Sequence, residues 1–152
     1  MSNPSEPGPV AGTDTLAVDL DYRLDRDVDP RAIGAVYQAV GWEGAARDLD
    51  QLGRALRGSA EVASAWHAGR AVGVARMLSD GVMQAYINGV AVHPEYQHRG
   101  VGSRLVRMLI ESNPGLHFHL RTRSRRFGFY GRLGFVRDET GMERFPDPPA
   151  AR

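Results

Sequence analysis

The sequence predicts one α/β domain: a mixed, mostly antiparallel sheet of about six to seven strands flanked by about four helices, in the order β-α-α-β-β-β-α-β-α-β-β. Three observations predict it. Runs with a two-residue apolar period fill the middle of the chain and are separated by short glycine turns, the pattern of an antiparallel meander. A helical run at 100–112 lies between two such strands, which makes one strand–helix–strand crossover. The length of 152 residues, with 42% hydrophobic and 24% charged side chains, is that of a single ordinary globular domain.

The elements follow in order. Residues 2–14, rich in Pro, Gly and Ser, carry no periodicity, so 1–14 is expected to be a tail, 15–145 the domain and 146–152 a frayed end. Leu16, Val18, Leu20, Tyr22 and Leu24 alternate with polar residues, giving a strand with one wet face. Asp29-Pro30 is an N-cap followed by proline at the first helical position, and Ile33, Val36, Tyr37 and Val40 keep helical spacing up to Gly41. A second helix is expected over 45–57, with Leu49, Leu52 and Leu56 on one side. Strands are expected at 62–67, 70–79 and 83–92, joined through Ala68-Gly69 and Asp80-Gly81. After the 100–112 helix, Asn113-Pro114-Gly115 stops it, and Leu116, Phe118 and Leu120 mark a strand to Arg121. A short helix at 125–133 and two brief strands at 135–137 and 142–145 close the domain.

Composition removes several chemistries. Cysteine is absent, which excludes disulfides, thiolate metal sites and a cysteine nucleophile. Lysine is absent too, and the arginine-rich, Ile-poor composition suggests a bacterial origin. No apolar run approaches a membrane span and Met1 opens no secretory leader, so the expectation is a soluble cytoplasmic protein without membrane partners. Net charge is +1, but residues 1–61 hold 11 acids and 6 arginines (net −5) and residues 62–152 hold 7 acids and 13 arginines (net +6). The acidic first half argues against nucleic-acid binding, while the basic second half suits an anionic ligand. His117 and His119 lack an evident third ligand and are read as a polar strand face, so no metal is expected.

The chemistry concentrates at 90–105. An apolar strand runs into a loop whose glycines fall where a helix begins, so successive backbone N–H groups and the positive helix end face one spot, a phosphate cradle. The P-loop pattern fails because the chain has no lysine, and GxGxxG fails at Leu105. What stands is Gln97-His98-Arg99-Gly100-Val101-Gly102, preceded by Ala91-Val92-His93-Pro94-Glu95-Tyr96 and with Leu105 after it. This resembles the acyl-CoA pyrophosphate loop of the GCN5-related N-acetyltransferase (GNAT) superfamily. Downstream, Phe129-Tyr130-Gly131-Arg132-Leu133-Gly134-Phe135 is similar to that superfamily's FYxxLGF segment, and the element order matches over roughly residues 16–145.

The resemblance implies acetyl-CoA as acyl donor and direct transfer to an amine. It implies that strands 83–92 and 116–121 splay to admit the pantetheine arm, which pairs with the backbone of Val90, Ala91 and Val92 like an added strand. An N–H in this segment, Val92 foremost, is the implied donor to the thioester oxygen, and Tyr130 the acid for the leaving thiolate. Gln97, His98, Arg99, Gly100, Val101, Gly102 and Ser103 are the implied pyrophosphate contacts. The family often has asparagine just past the fifth strand; this chain reads Arg121-Thr122-Arg123-Ser124, so either Ser124 substitutes in that contact or the contact is lost, and the arginines at 121–126 stand near enough in sequence to meet a 3′-phosphate.

Acceptor-site candidates are Trp42, between the two early helices, with Arg76 and Tyr86 on adjacent strands. The strand at 83–92 carries no acid, so the amine's base is Glu95, His93 or a group acting through water. The acidic first half weakly favours a cationic acceptor. Three functions follow: acetylation of a small-molecule amine first, acetylation of a protein N-terminus or lysine second, and an acyl-CoA-binding module without turnover third. Superfamily members are often dimers, which leaves a homodimer open.

Overall fold

In a computed structural model, which describes residues 19–146, Asp29 accepts the Arg31 N–H at 2.9 Å and Pro30 occupies the first position of helix α1 (Pro30–Ala39). Gly41, at φ +81°, carries the chain out of it. The second helix of the sequence reading is two helices, α2 (Glu43–Ala46) and α3 (Leu49–Gly58). The cause is local: Asp48, in an extended conformation, accepts the Gln51 N–H at 2.9 Å and restarts the helix as a new N-cap.

Five strands follow the expected order: β1 (Asp21–Leu24), β2 (Glu61–His67), β3 (Arg70–Ser79), β4 (Gln84–Val92) and β5 (His117–Leu120). The first four are successive antiparallel neighbours, and β4–β5 is parallel, joined across helix α4 (Val101–Ser112). The β2–β3 turn is Ala68-Gly69, both at positive φ (47° and 79°), the combination whose twist suits a two-residue hairpin. The β3–β4 connection is longer, and one Asp80 carboxylate oxygen accepts the N–H groups of Val82, Met83 and Gln84. Leu16 and Val18 of the expected first strand lie outside the described residues, as do the expected tail at 1–14 and residues 147–152.

The two closing strands are absent among the described residues, leaving five strands rather than six or seven, and with α5 (Phe127–Gly131) five helices rather than four. Backbone donors in this stretch are used locally instead. Leu133 and Phe135 both donate to the Tyr130 carbonyl, finishing α5, and Asp138 accepts from the N–H and hydroxyl of Thr140 in a local turn. Within those two segments Val136 and Met142 are 90% and 100% exposed, whereas Phe135 packs against the core.

The sheet is buried on both faces. Helix α4 covers one, where Ala63, Ala65, Ala75, Met77, Ala85 and Ile87 meet Val101, Leu105, Val106 and Leu109. Helices α1 and α3 cover the other through Ile33, Val36, Leu52 and Leu56. The approach of α4 is close: a Cβ at Gly73 would lie 3.0 Å from Leu105 and 3.1 Å from Val101. Leu105 is fully buried there, and Leu105→Ala is expected to lower stability by about 2–5 kcal/mol, read as a drop in the urea midpoint at unchanged slope. No helix among the described residues is long and apolar enough to cross a membrane.

Candidate functional site

The β4–β5 ladder joins only Gln84–Ile87 to His117–Leu120, so beyond Ile87 strand β4 runs on with that edge unpaired. The break coincides with a bulge. Register against β3 steps from Val74↔Ala91 to Arg76↔Asn88, so Gly89 and Val90 together oppose Ala75, and Gly89 has φ +63°. His93 donates its N–H to the Val72 carbonyl at 2.8 Å. Strand alternation then directs Ala91 towards β3 and turns the N–H groups of Val90 and Val92 to the open edge. Of the three residues expected to offer backbone along that edge, Ala91 therefore faces the other way. The carbonyl of Val92 is already taken by the Gln97 side-chain amide at 2.9 Å, so the Gln97 side chain ties the loop to the strand.

The loop that follows contains a 3-10 turn (Pro94–Tyr96) and then two residues in the left-handed region, His98 at φ +61° and Gly100 at φ +78°. Gly100 is the N-cap of α4, and the first bond closed there is from Arg104 N–H to its carbonyl, at 3.0 Å. The N–H groups of Val101, Gly102 and Ser103 thus have no intrahelical partner, next to the positive end of a 12-residue helix. A Cβ at Gly100 would meet no protein atom within 4 Å. Gly102 is different: a Cβ there would come within 3.3 Å of the Phe129 ring and 3.5 Å of Val92. Its glycine lets α5 approach the start of α4 and the end of β4. The exposed cradle of donors fits a pyrophosphate, and the open edge beside it fits an amide-bearing arm.

Tyr96 braces the loop from beneath. Its hydroxyl is 2.5 Å from His67 Nδ1, and the guanidinium groups of Arg70 and Arg99 each lie 5.9 Å from its ring. Glu95 is engaged on the outside, 3.3 Å from Arg70 and 71% exposed, with His93 Nδ1 at 3.8 Å. Among the described residues neither base candidate contacts the open edge, and the Arg70 pairing turns Glu95 to the hairpin.

Tyr130 packs edge-to-face with Phe129 and Phe135, centroids 4.9 and 5.8 Å away, and is 7% exposed. Burial pushes its pKa above the usual tyrosine value, and the Arg126 guanidinium pulls partly back. Its hydroxyl has no side-chain or backbone partner among the described residues, yet no buried polar atom there is left unsatisfied, so the oxygen keeps contact with solvent. Tyr130 and Tyr86 both line a groove of about 1020 Å³ bounded by β5 and the segment after α5. Ser124 is exposed at the start of a second 3-10 turn (Ser124–Arg126). Arg121 pairs with Glu143, while Arg123, Arg125 and Arg126 are exposed and have no carboxylate in ion-pair range among the described residues.

On the other face, the Trp42 ring lies 5.5 Å from Tyr37, and Trp42 is 39% exposed. Tyr37 reaches across to β4, where its hydroxyl donates to the Gly89 carbonyl at 3.2 Å. Burial raises the Tyr37 pKa, opposed by Arg76. Arg76 donates to Ser59 Oγ and Asn88 Oδ1, both at 3.4 Å. Trp42 and Arg76 thus meet through Tyr37, whereas Tyr86 faces the groove beside His119 on β5. His117 and His119 are exposed with rings 4.1 Å apart, and His119 Nε2 is 2.6 Å from Gln84 Oε1. The sequence reading missed Gly89. Its signal was a lone glycine inside a strand, which marks a bulge or a close approach; here it is both.

The family model for the acetyltransferase (GNAT) domain matches residues 58–137. A histone acetyltransferase of Glycine max is 34% identical over 132 residues, covering 77% of this chain and 56% of that protein. The chloroplastic serotonin N-acetyltransferase 2 of Oryza sativa subsp. japonica is 32% identical over 123 residues, covering 76% of this chain and 60% of its own. The chain thus spans little more than half the length of these curated relatives. Among solved structures, a GNAT-family acetyltransferase from Streptococcus pneumoniae TIGR4 superposes with a TM-score of 0.74 at 26% identity, covering 86% of this chain and 100% of that one.

Proposed function

Because this chain belongs to the GNAT acetyltransferase family, we propose that it transfers an acetyl group from acetyl-CoA directly to a primary amine of a small molecule. The observation that carries the reading is the unpaired β4 edge ending at the uncapped start of α4. Pyrophosphate is held by the N–H groups of residues 98–103, and the pantetheine arm pairs along Val90 and Val92. Their outward N–H groups supply the donor to the thioester oxygen as it gains charge, a contribution of ~10²–10³ in rate for one such donor. Val90 joins Val92 in that role because residues two apart on a strand turn their N–H groups the same way. Gln97 acts by fixing the Val92 carbonyl, and Gly102 by admitting Phe129. Ser124 and the arginines after β5 meet the distal part of the donor.

The neutral amine attacks the thioester carbonyl, the carbon–sulfur bond breaks, and Tyr130 gives its proton to the departing sulfur. A deprotonated tyrosine could not do this, so burial that holds Tyr130 neutral supports the role. The amine loses its proton through water, since Glu95 is occupied by Arg70. Trp42 and Tyr37 wall the acceptor side and favour a small molecule. Acetylation of a protein amine is the second reading, favoured by the relative named a histone acetyltransferase.

The deciding experiment is thiol release from acetyl-CoA across polyamines, arylalkylamines, amino acids, aminoglycosides and short peptides. Cysteine is absent, so the protein adds no thiol background. Release with one small-amine class establishes the transfer. Release with peptides alone transfers the assignment to the second reading, and tight acetyl-CoA binding with no release from any amine leaves a binding module.

A further inference from the structure

Among the described residues, Arg76 is a half-buried cation without a counter-ion. The groups its guanidinium touches there are neutral, Ser59 Oγ and Asn88 Oδ1, each at 3.4 Å, with the Tyr37 hydroxyl beside it. Among the described residues no carboxylate comes within 4.0 Å of it. A second guanidinium, that of Arg26, donates to the Ser59 carbonyl at 3.3 Å, so two positive groups bracket the same buried serine. Arg26 is flanked in sequence by Asp25 and Asp27; Arg76 has no acidic neighbour of that kind. Five guanidinium donors and two bonds at the long end of the range leave capacity for an anion, and the partial burial makes an unmatched charge costly.

The position gives this meaning. Arg76 stands opposite Asn88, two residues before Val90, which is about 6.6 Å at ~3.3 Å per strand residue. It lies on the face that carries Tyr37 and Trp42. We infer that Arg76 is an anion-recognition group for the acceptor, so that the amine taken by this site also bears a carboxylate or phosphate monoester a few bonds from its nitrogen. The inference rests on the transferase reading and names its substrate class. It also reverses the expectation of a cationic acceptor drawn from the acidic first half, because a diffuse net charge is screened over about 8 Å while this guanidinium is in contact range.

The test measures binding rather than turnover. CoA-loaded protein is titrated calorimetrically with matched acetylated products: N-acetylalanine against N-ethylacetamide, and N-acetylglucosamine 6-phosphate against N-acetylglucosamine. In at least one pair the anionic member is expected to bind roughly 10- to 100-fold tighter. Arg76→Gln, which can still reach Ser59 and Asn88, is expected to bring that pair within ~3-fold without changing CoA affinity, and Arg76→Lys to keep part of the preference. The pair that responds tells carboxylate from phosphate. Equal binding within both pairs, undetectable binding included, overturns the inference, as does an Arg76→Gln effect of the same size on neutral and anionic members. Thiol release is scored separately: its absence with every amine would sink the transferase reading while leaving the measured anion preference in place.

Discussion

Tyr130→Phe is expected to lower kcat by about 10²-fold while acetyl-CoA affinity stays within ~2-fold of wild type. General acid catalysis typically contributes ~10²–10⁴-fold. The low end applies because the leaving thiolate, with a thiol pKa near ~8.5, is only moderately basic and departs without full protonation. The ring carries the packing, against Phe129 and Phe135, and phenylalanine keeps it. The hydroxyl has no protein partner among the described residues, so its loss leaves no orphaned group and the melting temperature is expected to stay close to wild type. The pH profile supplies the control. The acid is active when protonated, and burial raises the Tyr130 pKa above 10.0, so the alkaline fall in kcat attributable to this group lies above that pH and is lost in the variant. The same sign holds for stability. The neutral phenol is favoured in the folded state, so its contribution is complete below the ordinary tyrosine value and fades as pH rises through the raised one. Unchanged turnover in Tyr130→Phe would remove this residue from the mechanism.

The role proposed for Tyr130 rests on its place in a segment, since nothing in a lone aromatic tells a packing ring from a proton donor. Elements fixed by local chemistry were read well. Asp29-Pro30 and Gly41 bound α1, strand β3 has the limits expected of it, and α4 begins at the glycines. Helix capping, tight turns and periodicity all act within a few residues, so they are visible in one dimension. Where two local signals compete, the reading failed. Asp48 could continue a helix face or cap a new helix, and its carboxylate caps. The expected closing strands rested on three- and four-residue runs, too short for alternation to outweigh the turn at Asp138 and the bonds that finish α5. The site divided in the same way. The cradle proposed at 97–103 is contiguous, so its signal lies within one short stretch of sequence. The Trp42–Tyr37–Gly89–Arg76 chain joins three elements, and only register brings it together: one extra residue in β4 decides which of Val90, Ala91 and Val92 faces outward.

Gly89→Ala tests that register directly and is expected to cost about 2–5 kcal/mol of stability. Two terms add. Gly89 has φ +63°, where an L side chain costs roughly 1–2 kcal/mol. A methyl group there also overlaps the Tyr37 hydroxyl and comes 3.3 Å from Tyr37 Cζ, and overpacking of this kind costs about 1–3 kcal/mol. The terms can be separated. Tyr37→Phe alone removes one hydrogen bond to the Gly89 carbonyl, a loss of about 0.5–1.5 kcal/mol. In that background the overlap with the hydroxyl is gone while the backbone strain remains, so Gly89→Ala should cost about 1–3 kcal/mol less than it does in the wild type. A double-mutant cycle by urea denaturation measures the difference, and strict additivity would show that Tyr37 and Gly89 do not meet in solution. Activity follows the bulge. If alanine drives β4 back into regular register with β3, the N–H groups at 90 and 92 no longer both face the open edge, and kcat/KM should fall by ~10²–10³, the worth of one oxyanion donor. A variant that loses stability but keeps kcat/KM would separate the bulge from the reaction.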